Sequence, residues 1–260
     1  MRVVIIGSGN VAQIFARMIS ATKHEVAGIV CRNPEALVAS RFSLGTTKFS
    51  SFNDKIPTAD IYIAAVSDRF LPDLLKQFQP VQGIIVHTAG GVSMSVFNNN
   101  RIPYGVLYPL QSLRKETLFM PEIPMLIDGS DPDTLTRIEE LAKDLSDKVV
   151  RAGDEMRKKL HLSAVYSANF INYILIQTFQ YCNTEGLDSK LLLPLLNETI
   201  ERLNEFDPSE VQTGPAIRND QTTIDSHLEM LEDFPEMKKF YGIFTDSIKQ
   251  YYFKQTGERS

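Results

Sequence analysis

The chain is poor in cysteine. Cys31 and Cys182 are its only two, and neither forms a CxxC pair. Two thiols cannot build a disulfide framework, so a reducing, cytoplasmic setting is expected. No stretch approaches the ~20 apolar residues that a bilayer span requires, and the opening run Val3-Val4-Ile5-Ile6 is too short for a signal-peptide core. Positive charge is not in excess either: 27 Lys and Arg face 32 Asp and Glu, for a net charge of −5. That balance argues against a generic nucleic-acid binder. Neither a membrane nor a nucleic acid is expected as a partner. Two Cys and four dispersed His supply no recognisable ligand set, and no metal is expected.

What is present reads as an ordinary globular protein. The 260 residues are 43% hydrophobic and 23% charged, enough to bury a core without staples. Up to about residue 152, short apolar β-rich runs at 3–6, 26–30, 61–66 and 83–87 alternate with helical patterns at 11–20, 34–42 and 70–78. Strands with no polar face are buried on both sides, as in a parallel sheet covered by helices. Short strands at 105–107, 125–127 and 148–150 should follow, with an amphipathic helix over 131–146 that Asp131-Pro132 starts.

Beyond Gly153 the alternation stops. Residues 154–183 contain no Pro or Gly and predict one long, largely buried helix, with Phe170, Ile171, Ile174 and Phe179 among its apolar positions. Further helices are expected over 191–206, where Pro194 either kinks the helix or marks its start, and over 234–253. The division expected is a dinucleotide-binding domain, 1–152, and an all-helical substrate and dimerisation domain, 153–260.

Gly7-Ser8-Gly9-Asn10-Val11-Ala12 matches G-x-G-x-x-G/A between the first strand and the first helix. The first glycine permits the tight turn, the second lets backbone approach a pyrophosphate, and Ala12 is small enough for the helix to pack on the strand. The second strand ends in Cys31-Arg32-Asn33, with no acidic residue to hold a ribose 2′-hydroxyl. Arg32 is suited instead to a 2′-phosphate, so NADP(H) is favoured over NAD. Two more strand ends should face the ligand. Val66, Ser67 and Asp68 end the third, where Asp68 either lines the cofactor site or joins a helix cap. His87 ends the fourth, as a site residue or as a core histidine.

The glycine loop, Ala-Val-Ser-Asp at 65–68, His-Thr-Ala-Gly at 87–90, Tyr-Pro-Leu-Gln-Ser at 108–112, His161 with Asn169, and Thr-Gly-Pro-Ala-Ile-Arg-Asn-Asp at 213–220 occur in this order. Together they resemble a family of bacterial NADP oxidoreductases with a Rossmann-like N-terminal domain and a C-terminal domain of unknown function. The resemblance implies an α/β Rossmann-like domain with a mostly parallel sheet, then an all-α domain like that of 6-phosphogluconate dehydrogenase. Ketopantoate reductase and pyrroline-5-carboxylate reductase are similar in the same way. It also implies a homodimer built through the helical domain.

Lys158, His161 and Asn169 are spaced to share one helix stripe, since eleven residues make about three turns. In 6-phosphogluconate dehydrogenase a lysine in Lys-x-x-His-Asn does acid–base work. Here Lys158 and His161 keep their places, and Leu162 stands where the asparagine would be. Hydride transfer needs a proton donor, and His161 is the first candidate, with Lys158 and Asn169 in support. Arg157 is set aside because a guanidinium does not exchange protons near neutral pH. Arg218 is a candidate for binding an anionic substrate group and His227 for lining the cleft; the alternative is a turn followed by a helix that Asp220 caps.

The expected activity is NADP(H)-dependent hydride transfer to or from a small, anionic carbonyl, imine, alcohol or amine in the interdomain cleft. The alternative is a non-catalytic NADP(H)-binding sensor or partner protein. A short-chain dehydrogenase is disfavoured, because Tyr104, Tyr108 and Tyr166 are not followed four residues later by lysine. The loop also lacks the Gly-Lys-Ser/Thr ending of a P-loop.

Overall fold

The computed structural model describes residues 1–35, 49–52, 54–77, 82–98, 102–117 and 120–257. Its contacts divide the chain into two compact units, Met1–Asn169 and Phe170–Ser260.

The first unit is built on one eight-stranded sheet in the order β3-β2-β1-β4-β5-β6-β7-β8. The strands are β1 (Arg2–Ile6), β2 (Glu25–Val30), β3 (Phe49–Ser50), β4 (Ile61–Ala64), β5 (Ile84–His87), β6 (Tyr104–Pro109), β7 (Met125–Gly129) and β8 (Val149–Arg151). From β3 to β6 every pairing is parallel; β7 runs antiparallel to β6, and β8 follows β7 in parallel. Successive side chains leave a strand on opposite faces. Val3 and Ile5 therefore enter one core with Ile61, Ile63 and Val86, while Val4 and Ile6 enter the other with Tyr62, Ala64 and Ile85. Each of these β1 side chains is fully buried, an effect of about 1.5–3 kcal/mol per large aliphatic side chain. This double burial is why the strands read as continuous apolar runs.

Helix α1 (Asn10–Ser20) covers the first face with Ile14, Phe15 and Ile19, and α2 (Leu71–Gln77) covers the second with Leu71 and Leu74. Helix α3 (Pro132–Leu145) joins α1, its start fixed by the Asp131 carboxylate, which accepts from the Thr134 backbone N–H at 2.8 Å. Two-residue β3 was not foreseen, because a pair of residues has no periodicity to read. Most of the helix expected over 34–42 lies outside the described residues.

Helix α4 (Asp154–Ala164) packs within the first unit, so the change in packing at Asn169 comes one helix later than the change in residue pattern near 152. The single helix expected over 154–183 is interrupted by a π-helical segment, Val165–Asn169, before α5 (Phe170–Thr184). Nor is it largely buried. Phe170 is 53% exposed, and Ile171, Ile174 and Phe179 are exposed with it. The apolar composition was read correctly, but among the described residues Ile171, Ile174 and Phe179 keep more than a third of their surface exposed.

The second unit is helical. It continues with α6 (Leu193–Glu201), α7 (Gln221–Met230) and α8 (Pro235–Gly257). Pro194 stands in the first turn of α6 and marks its start, and 3-10 turns flank that helix. Asp220 caps α7 through the Thr223 backbone N–H at 3.1 Å, after a left-handed Asn219 with φ 51°. No helix among the described residues is long and apolar enough to cross a membrane.

Candidate active site

The carboxyl ends of β1, β2 and β4 meet at the topological switch of the sheet, where ligands of open α/β sheets bind. Gly7 turns there with φ +128°, and a Cβ on it would stand 2.1 Å from the Ala65 carbonyl oxygen. Its N–H bonds the Val30 carbonyl at 2.8 Å, stitching the loop to the end of β2. Gly9 has no described residue within 4 Å of a would-be Cβ and heads α1 with no side-chain cap. The first N–H groups of α1 are thus left for an anion, with room for it. Gln13 Nε2 donates to the Ser8 carbonyl at 2.9 Å and holds the loop from below.

A cleft of about 550 Å³ opens at this point, lined by Gly7, Ser8, Gly9, Arg32, Asn33, Val66 and Ser67 with Phe52 and Phe70. The Arg32 guanidinium lies over the Phe70 ring, 5.8 Å from its centroid, which steadies the cation at the cleft. These residues fit a dinucleotide with a 2′-phosphate. Asn10 is turned elsewhere: its Oδ1 accepts from the Lys115 backbone N–H at 3.4 Å.

A second cleft, about 570 Å³, is lined by Val11, Thr88, Tyr108, Gln111, Ser112, His161 and Asn169, among others. Val11 therefore sits between the glycine loop and this second space. Its centre is a pair that the sequence did not join. The Tyr108 hydroxyl, on β6, lies 2.9 Å from His161 Nδ1, on α4, and the rings meet edge to face at 5.8 Å. Gly90 makes room for them: a Cβ there would stand 2.7 Å from His161 Cγ and 2.8 Å from Tyr108 Cζ. Burial, then the negative charge of Asp68, pushes the Tyr108 pKa up, so the phenol stays protonated. Tyr108 was visible only as part of the Tyr-Pro-Leu-Gln-Ser motif, and no spacing linked it to His161.

The other expected site residues divide. Asn169 shares the second cleft with His161. Lys158 is exposed and lines neither cleft, because the residue that turns inward at that level of α4 is Arg157. Asp68 opens a 3-10 turn that Ser67 precedes, and its carboxylate lies on the Gly91 side rather than in the first cleft. His87 is a correction: it is fully buried beside Phe97, ring centroids 5.8 Å apart, and reaches neither cleft. Burial, aided by the Arg157 charge, holds its pKa down at about 4, so it is neutral at physiological pH. In the second unit, Arg218 is exposed, while His227 Nδ1 pairs with the Tyr241 hydroxyl at 2.8 Å. Among the described residues no group of His, Cys, Asp and Glu is arranged to hold a metal ion.

Residues 2–91 match the family model described as "NADP oxidoreductase coenzyme F420-dependent", and residues 123–248 match a domain of unknown function, DUF2520. The crystal structure of a putative NADP oxidoreductase from Bacteroides fragilis is 31% identical, with a TM-score of 0.88 over 96% of this chain and 98% of that one. The chain belongs to the NADP oxidoreductase family. More distant structures share the oxidoreductase's fold. Pyrroline-5-carboxylate reductase from Streptococcus pyogenes is 14% identical with a TM-score of 0.60, covering 96% of this chain and 98% of its own. An imine reductase from Myxococcus stipitatus, in complex with NADP+, is 10% identical with a TM-score of 0.59, covering 99% and 95%. No protein of curated function matches the sequence.

Proposed function

We propose that the protein is an NADPH-dependent reductase of a small C=N or C=O compound, with His161 as its proton donor. One observation carries this reading: the His161–Tyr108 pair lines a cleft that Val11 connects to the glycine loop. Gly7, Ser8, Gly9 and the start of α1 would hold the pyrophosphate, and Arg32 the 2′-phosphate. Bound there, NADPH would supply the hydride.

The chain supplies the proton. With Tyr108 held as a neutral phenol, the protonated His161 ring donates Nδ1–H to the Tyr108 oxygen, which leaves Nε2–H free to protonate the substrate nitrogen or oxygen as hydride arrives. Neutral histidine with its Nδ1–H still bonded to Tyr108 remains. Asn169, Ser112 and Gln111 are uncharged hydrogen-bonding groups along the same cleft and would orient the substrate. Arg218 is the candidate for binding an anionic group of a substrate, with His227 nine positions on, in α7. Imine and pyrroline-5-carboxylate reductases share the fold, which favours a C=N substrate as the first class to try.

The exposed apolar residues of α5 support a homodimer through the helical half, residues 153–260. Two buried, unbridged thiols suit the cytoplasm. The deciding experiment follows NADPH oxidation by its loss of absorbance against a panel of cyclic imines, imino acids and ketones. Turnover of at least one compound, lost in His161→Ala while NADPH binding survives, is the expected result. Tight NADPH binding with no turnover across the panel would favour the sensor.

A further inference from the structure

One helical turn before His161, Arg157 is fully buried. Its Nη2 donates to Asp154 Oδ1 at 2.5 Å and to the Val92 carbonyl at 2.6 Å. The Asp154 carboxylate in turn accepts from the Ser93 hydroxyl and, at 3.0 Å, from the Met94 backbone N–H. Burial works against the charge on Asp154, yet these hydrogen bonds together with Arg157 outweigh it and hold its pKa down at about 2. The first turn of α4 is thereby fastened to residues 92–94. Two positions before that segment stands Gly90, the residue against which the His161 ring packs.

The guanidinium is badly served as a stabiliser, since Nε and Nη1 have no hydrogen-bond partner among the described residues. A buried ion pair with unused donors often adds less to stability than an apolar side chain of similar volume. What it does add is geometry: one guanidinium nitrogen, Nη2, holds a carboxylate of α4 and a carbonyl of the neighbouring segment together, which ties the height of α4 to that segment.

We propose that Arg157 is a positioning residue, which through Asp154, Val92 and Ser93 sets the His161 ring against Tyr108. The importance of this role rests on His161 being the proton donor; the geometry does not. The groups facing His161 within its unit are Tyr108 directly, and Asp68 from the other side of Gly91.

The test reads the His161 ring by 15N NMR of the full chain at about pH 8.5, where imidazoles are neutral. His161→Gln identifies its signals among the four histidines. Tyr108→Phe provides the signature of a ring without its partner. Arg157→Met and Ser93→Ala are expected to move the His161 Nδ1 signal toward that signature, and Arg157→Lys to fall between it and wild type. If folded Arg157→Met and Ser93→Ala both leave the signal in place, the positioning role is overturned. Should Arg157→Met fail to fold, Ser93→Ala makes the same comparison with the guanidinium intact. No substrate enters this measurement, so its failure and that of the reductase reading are separable.

Discussion

The Tyr108 hydroxyl and His161 Nδ1 are 2.9 Å apart, yet they reach each other from a strand and a helix separated by 53 positions. The bond assigns different roles to the two rings. Burial keeps the phenol protonated, so in the proposed mechanism Tyr108 orients and the imidazole exchanges protons.

Replacing His161 by glutamine should therefore lower the rate of substrate reduction by about 10²–10⁴-fold, while NADPH affinity is retained. Tyr108→Phe keeps the acid and loses only its orientation, so its loss should be smaller, on the order of tenfold. Stopped-flow rates check this, and a rate unchanged in His161→Gln would move the acid elsewhere.

Arg32 is expected to set cofactor choice. Calorimetric titration should show NADPH binding at least about tenfold more tightly than NADH, roughly 1.4 kcal/mol, with Arg32→Ala removing the gap. An unchanged ratio in the variant would mean that another group meets the 2′-phosphate.

Two glycines should fail in different ways. Gly7→Ala forces a side chain into a φ +128° turn and against the Ala65 carbonyl; a loss of about 2–4 kcal/mol is expected, with nucleotide binding lost as well. Gly90→Ala instead pushes a methyl into the His161 and Tyr108 rings. It should spare NADPH affinity and impair turnover. Thermal unfolding and NADPH titration of both variants separate the outcomes.

His87 makes stability depend on pH. Its folded pKa, about 4, lies below the ordinary 6.5. The unfolded chain takes up this proton first as pH falls, so the stabilisation is complete above pH 6.5 and is lost progressively down to about pH 4. The full effect is on the order of 3 kcal/mol. In denaturant titrations at several pH values, His87→Gln should be visibly flatter across that window.

The sheet was legible from the sequence because its strands are buried on both faces. Runs such as Val3 to Ile6 and Ile61 to Ala64 have no competing period, and the glycine loop announced the switch point between them. The helical half was legible only as helix. Whether Phe170 or Ile174 is covered depends on partners, which a hydrophobic stripe does not name. Within the candidate site, local motifs pointed to Gly7, Gly9, Arg32 and His161, each of which stands at a strand end or on a helix face. Tyr108 needed the pairing of β6 with β5, and Arg157 was passed over because its chemistry excluded proton transfer, which is not its contribution. Lys158 and Arg157 differ by one position, about 100° around a helix, and no periodic argument over so few turns separates the buried one from the exposed one.

Strand β8 ends after three residues, Val149–Arg151, with Arg151 level with Ile127 of its neighbour β7. That early stop decides where α4 leaves the sheet, and His161 follows seven residues after the helix starts, about 10 Å along its axis. The strand is in effect a ruler. Two residues added to it would carry the helix roughly 7 Å along the sheet, pulling the imidazole off its phenol with every site residue still present. The site is thus specified partly by a length, and a relative could lose its chemistry through an insertion in a strand that touches no ligand.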